Sequence, residues 1–100
     1  MKFAQIIDFE TERIDEMREL VREAEKDSAG RSGGPTHRMV LQDRRTPNRY
    51  LVVIGFESFD EAMRNSEDPR TTRMAERMAA LCSRPPEFTD CDVRESSGLK

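Results

Sequence analysis

Along KFAQIIDF, residues 2–9, apolar and polar positions alternate imperfectly. Phe3, Ile7 and Phe9 fall on one side of an extended chain, Ala4 and Ile6 on the other, with Gln5 and Asp8 as polar interruptions. Apolar groups on both sides predict a strand covered on both faces. From Thr11 the period lengthens. Ile14, Met17, Leu20, Val21 and Ala24 recur at three- and four-residue spacing, the stripe of an amphipathic helix running to about Lys26 with Thr11 as its N-cap. The opposite side pairs Asp15 with Arg18, Glu19 with Arg22 and Glu23 with Lys26 at i,i+3, which is a solvated face.

DSAGRSGGPT, residues 27–36, is a loop by composition. It has no Gly-Lys-Ser/Thr ending and no helix start after it, so phosphate-loop and dinucleotide readings fail on context. A mobile connection, able to close over a pocket mouth, fits better. THRMVLQD and NRYLVVIGF predict two more strands joined by the hairpin RRTPN, with Pro47-Asn48 as the turn and Arg44, Arg45 and Arg49 around its tip. Tyr50 to Phe56 is nearly continuous apolar sequence, as a central strand requires.

Ser58 and Glu61 then form a Ser-x-x-Glu capping box that starts a helix at Phe59. Asp68-Pro69 follows, an N-cap with proline at the first helical position, and proline disfavours helical geometry at Asp68 itself. The helical region is therefore broken there. Its second part presents Met74, Met78 and Leu81, with Ala75 and Ala79 allowing close approach, and Arg84-Pro85-Pro86 ends it. EFTDCDV is the last strand and SSGLK reads as a frayed tail.

The order β-α-β-β-α-β is the ferredoxin-like split βαβ, an α+β fold with a four-stranded antiparallel sheet and its helices on one face. One domain is expected over residues 1–95, with 96–100 as the tail. The first and third strands carry apolar residues on both sides, so the second sheet face also needs cover. A second copy of the chain, packed sheet to sheet, supplies it.

Composition agrees with a thin core: 35% of the 100 residues are apolar and 37% charged. A net charge of −3 gives nucleic acid no reason to bind. No run approaches the length of a membrane span, and Asp8 comes too early for a signal-peptide apolar region. Cys82 and Cys91 lack CxxC spacing and read as reduced thiols in a cytoplasmic protein; a bridge between them is not required.

Chemistry-bearing residues are few. His37, the only histidine, has a side chain suited to proton removal near neutral pH; the plainer alternative is an exposed residue at a strand end. One histidine without clustered cysteines or spaced carboxylates predicts no metal site. Tyr50, the only tyrosine, either orients a substrate oxygen or is a half-buried strand aromatic. The hairpin arginines either grip an anionic substrate group, keep an exposed turn soluble or pair across the dimer. Met63, Met74 and Met78 either line an adaptable pocket or are core.

GFESFDEAM, the element order and the broken second helix resemble the dimeric α/β-barrel superfamily, most closely its antibiotic-biosynthesis-monooxygenase-like branch. The resemblance runs from Met1 to about Val93. It implies a homodimer and a pocket between helices and sheet in each monomer, under a helical region that arches. It also implies cofactor-independent oxygenation of an aromatic or polyketide-like compound, with no cofactor. Oxygenases of this group commonly place an Asn and a Trp near the pocket. This chain has no Trp, and Phe56 stands where Trp often sits. Haem-degrading relatives need a helix histidine, which residues 58–82 lack. On the enzyme reading His37 or Asp8 is the base, Tyr50 or Gln5 the orienter and Phe56 an apolar wall, with Met63 and Met74 beside the substrate. The alternative is a non-catalytic dimer that binds a metabolite or a protein.

Overall fold

The computed structural model describes residues 1–28 and 34–98. Its elements are β1 (Phe3–Glu10), α1 (Ile14–Ser28), β2 (His37–Gln42), β3 (Arg49–Phe56), α2 (Phe59–Glu67), α3 (Pro69–Ala80) and β4 (Glu87–Asp92). The four strands form one sheet in the order β2-β3-β1-β4, and every neighbouring pair is antiparallel. This is the expected ferredoxin-like arrangement, with the second helical region divided in two. Most of the glycine-rich loop, residues 29–33, lies outside the described residues, as do 99–100 of the tail.

Strand register decides which face each residue serves. Phe3 pairs with Phe56, Ile7 with Val52 and Phe9 with Tyr50. These residues form the helix-side core with Met17 and Ala62. Phe9 and Tyr50 stack with ring centroids 5.6 Å apart, while Phe3 meets Phe59 edge-on at 5.4 Å. Full burial of each such side chain is worth roughly 1.5–3 kcal/mol. The other face carries Ala4, Ile6, Leu51 and Val53, flanked by Met39 and Leu41 on β2. Met39 is 57% exposed and Leu41 40%, so the single chain leaves this face partly bare.

Both helix starts read from the sequence are present. Ser58 Oγ accepts from the Glu61 N–H at 3.1 Å, and Asp68 Oδ1 accepts from the Arg70 N–H at 2.9 Å. Asp68 is extended, with φ −68° and ψ 125°, as the proline after it demands. It therefore ends α2 and starts α3 in one residue. At the β2–β3 hairpin the Arg49 N–H bonds to Thr46 O at 2.9 Å across Pro47-Asn48, closing the expected turn.

Two boundaries differ from the sequence reading. α1 begins at Ile14, not directly after Thr11. Thr11 Oγ1 accepts from the Arg13 N–H at 2.9 Å and donates to Leu81 O at 2.6 Å. The buried hydroxyl thus ties the chain before α1 to the end of α3. α3 stops at Ala80, before Arg84-Pro85-Pro86, because Leu81 tightens the last turn and the Ser83 N–H bonds to Glu10 O at 2.8 Å. Tertiary bonds stop this helix before the prolines can. Cys82 and Cys91 are both free thiols. Among the described residues no helix is long and apolar enough to cross a membrane.

Candidate functional site

The helix-facing side of the sheet is laid out in rows that run across the strands. One row is Phe88, Ile7, Val52 and Val40, apolar from edge to edge. The next is Asp90, Gln5, Ile54 and Arg38, acidic at the β4 edge and basic at the β2 edge. Above these rows the helices do not close on the sheet, and a cavity of about 510 Å³ remains. Its roof comes from Met17, Val21 and Ala24 on α1 and Met74, Ala75 and Met78 on α3. Val40, 50% exposed, and Phe88, 55% exposed, also line it, so the space opens at both sheet edges.

The division between α2 and α3 shapes this space. Asn65, near the end of α2, and Thr71, in the first turn of α3, both line the cavity. Neither side chain has a hydrogen-bond partner among the described residues, so both remain available to a ligand. Charged side chains at the rim are tied. Arg70 pairs with Asp68 at 3.0 Å, and Arg38 pairs with Glu25 across the β2–α1 gap. A further ion pair, Arg77 to Glu23 at 2.9 Å, joins α3 to α1. Cys82 lines the cavity with its Sγ donating to Met78 O at 3.2 Å, and burial pushes the thiol's pKa up, with Arg84 opposing. That thiol is a poor nucleophile.

The residues singled out in the sequence fall into three places. Gln5, Phe56 and Met74 line the cavity. Tyr50 lies beneath it, stacked on Phe9, with its hydroxyl 3.3 Å from Gln42 Nε2. Met63 packs on the cluster of Phe3, Phe56 and Ala62. His37 borders the mouth, but its Cβ is 3.2 Å from the position a Cβ on Gly55 would take, on the face away from the helices. Its Nδ1 is 2.8 Å from the Thr36 hydroxyl. Asp8 is on that same outer face. Arg49 grips it through two bonds, at 2.7 and 3.1 Å, and Arg84 reaches it at 2.6 Å. Those bonds, from Arg49 first, hold the Asp8 carboxyl below the usual range, so it stays charged and engaged. Among the described residues no three His, Cys, Asp or Glu side chains converge as metal ligands.

Asn65 was not singled out in the sequence. Within NSEDP it reads as a polar residue on an exposed helix, and only its position four residues before Pro69, at the break in the roof, marks it.

No family model matches the chain, and no curated protein matches its sequence. Solved structures match it throughout. An asparagine-to-alanine variant of SnoaB, a cofactor-independent oxygenase from Streptomyces nogalater, aligns with TM-score 0.80 over 95% of each chain at 17% identity. A candidate antibiotic biosynthesis monooxygenase from Deinococcus radiodurans aligns with TM-score 0.76 over 98% of each chain at 12% identity. Another from Nitrosomonas europaea gives TM-score 0.75 at 15% identity, over 96% of this chain and 93% of that one. This chain has their fold. The antibiotic-biosynthesis-monooxygenase-like resemblance seen in GFESFDEAM therefore extends to the whole backbone, while identities this low leave chemistry to be argued from the cavity.

Proposed function

We propose that this chain is a small-molecule enzyme that oxygenates an electron-rich aromatic compound without a cofactor, in the cavity between helices and sheet. The observation that carries this reading is the cavity itself: about 510 Å³, with a largely apolar lining among which Asn65, Thr71 and Gln5 are the uncharged amide and hydroxyl side chains of α2, α3 and β1. Its size and lining suit a flat molecule of two to four fused rings. Similarity to SnoaB supports the reaction class.

In this mechanism the substrate supplies the electrons. A phenol or enol lies over the apolar row with its oxygen at Asn65. The amide N–H groups donate to that oxygen, stabilise the anion and so favour proton loss to water at the open rim. The anion reacts with O2 at the carbon opposite. The resulting hydroperoxide loses water, so that a CH2 becomes C=O and the second oxygen atom leaves as H2O. The apolar walls around Phe56, Met74 and Met78 keep the intermediate from bulk water. His37 and Asp8, whose Cβ atoms lie on the outer face, have no part in this scheme.

We further propose that two copies pair through the outer sheet face, which completes the barrel and stiffens the cavity floor. A dimer that merely binds a metabolite is the second reading, favoured because, among the described residues, the lining carboxylate Glu25 is paired with Arg38 and the His37 ring bonds the Thr36 hydroxyl. Anthrone separates the two. Its conversion to anthraquinone consumes one O2 and releases one H2O. The enzyme reading expects protein-dependent O2 uptake matched to anthraquinone formation, lowered at least tenfold by Asn65→Ala. Binding of anthrone with no acceleration over buffer would leave the metabolite-binding reading.

A further inference from the structure

Gln5 is the one uncharged polar residue on the cavity floor among the four strand residues of its row, and its orientation is set from outside the cavity. Its Nε2 donates to Asp90 Oδ1 on the neighbouring strand at 3.1 Å. A carboxylate accepts and does not donate, so Asp90 dictates which end of the amide turns toward β4. The carbonyl oxygen Oε1 is thereby the end turned away from Asp90, on a side chain that lines the cavity. It has no partner among the described residues. Asp90 and Asp92 also make the β4 edge beside it acidic, which disfavours an anionic ligand group there.

We propose that the Asp90–Gln5 pair makes this part of the cavity an acceptor, so that the site selects a neutral molecule carrying a hydroxyl on the edge that lies against Gln5. This inference rests on the reading of the cavity as a ligand site and adds a specificity-determining residue, Gln5, and a positioning residue, Asp90. A ligand body on the row Phe88, Ile7, Val52 and Val40 has its long edge along the row containing Gln5, two residues further along the strands. A hydroxyl on that edge donates to Oε1. A methoxy group in the same place presents only lone pairs to an acceptor and gains nothing.

Fluorescence titration with 2-naphthol and 2-methoxynaphthalene tests this, because the two share a ring system and differ in the donor. The parent should bind 2-naphthol roughly 2- to 10-fold more tightly, the span of one net hydrogen bond. Gln5→Met should abolish the preference between the two probes. Asp90→Ala should shrink the preference without touching any cavity-lining residue, because the freed amide can then turn its N–H groups inward. Equal binding of the two probes by the parent would overturn the inference and leave the cavity reading standing. A preference that survives Gln5→Met would also overturn it, and one unchanged by Asp90→Ala would remove Asp90 from it. Binding of neither probe would overturn the inference and the cavity reading together.

Discussion

At the scale of single residues, local signals are legible and distant partners are not. Ser58 stands three residues before Glu61, a spacing that announces a helix start, and its hydroxyl does accept from the Glu61 N–H. The box is only half closed, since the Glu61 carboxylate pairs with Arg64 at 3.0 Å. Ser58→Ala should therefore cost roughly 0.5–2 kcal/mol, read as a lower urea midpoint. An unchanged midpoint would mean that water serves the N–H equally well. Thr11 shows the opposite case. Its sequence context suggests a helix cap, yet its hydroxyl donates to Leu81 O, seventy residues away. No local pattern encodes that bond. Asp8 was readable in part: it has the strand parity of Ala4 and Ile6, so once Phe3, Ile7 and Phe9 face the helices it must face away. Asn65 was not readable, because only the packed roof distinguishes a helix residue that lines a cavity from one that meets solvent.

At the scale of elements, Asp68-Pro69 told from sequence alone where the roof breaks, because proline geometry is local and strict. What the sequence did not disclose is the ion cluster that locks β1 to its two neighbours. Asp8 and Glu10 on β1 bind Arg84 ahead of β4, while Asp8 and Asp43 bind Arg49 at the start of β3. Those residues are up to 76 positions apart, and none of the roles the hairpin arginines suggest in sequence is a pairing with Asp8 within the chain. The cluster has a pH signature. Asp8 is held below its ordinary range chiefly by Arg49, and Asp43 chiefly by the Arg45 N–H and then by Arg49. Carboxyls with a depressed folded-state pKa contribute stability that is fully present above their unfolded pKa of about 3.9, and that is lost as pH falls through the lower folded value. The difference in stability between the parent and Asp8→Asn should thus be constant above about pH 5 and shrink below about pH 4. Urea melts from pH 2.5 to 7 measure it. A gap that persists undiminished at pH 2.5 would assign the loss to packing instead of charge.

At the scale of the whole molecule, the sheet has two apolar faces and the chain covers one. Helices shelter Ile7, Phe9, Val52 and Phe56, all buried, whereas Ile6, Leu51 and Val53 opposite are only half-buried and Met39 and Leu41 are exposed. Each of these five is worth roughly 1.5–3 kcal/mol when taken fully from water. A second copy, related by two-fold symmetry, presents the same apolar surface in return. The ion cluster lies at one end of that face, and its arginines and carboxylates already satisfy one another, so pairing need not strand a charge. Sedimentation at micromolar concentration should give twice the chain mass of 11.6 kDa. Val53, central on the outer face and paired with Ile6 and Met39, is the residue to change. Val53→Lys should yield a monomer or an unfolded chain, and circular dichroism distinguishes these outcomes. Val40→Lys serves as a control, since Val40 lies at the cavity mouth on the opposite side of the sheet. It should leave the mass doubled and weaken 2-methoxynaphthalene binding. A folded, monodisperse monomer of the parent at that concentration would refute the pairing, and the cavity floor would then have to keep its shape with solvent behind it.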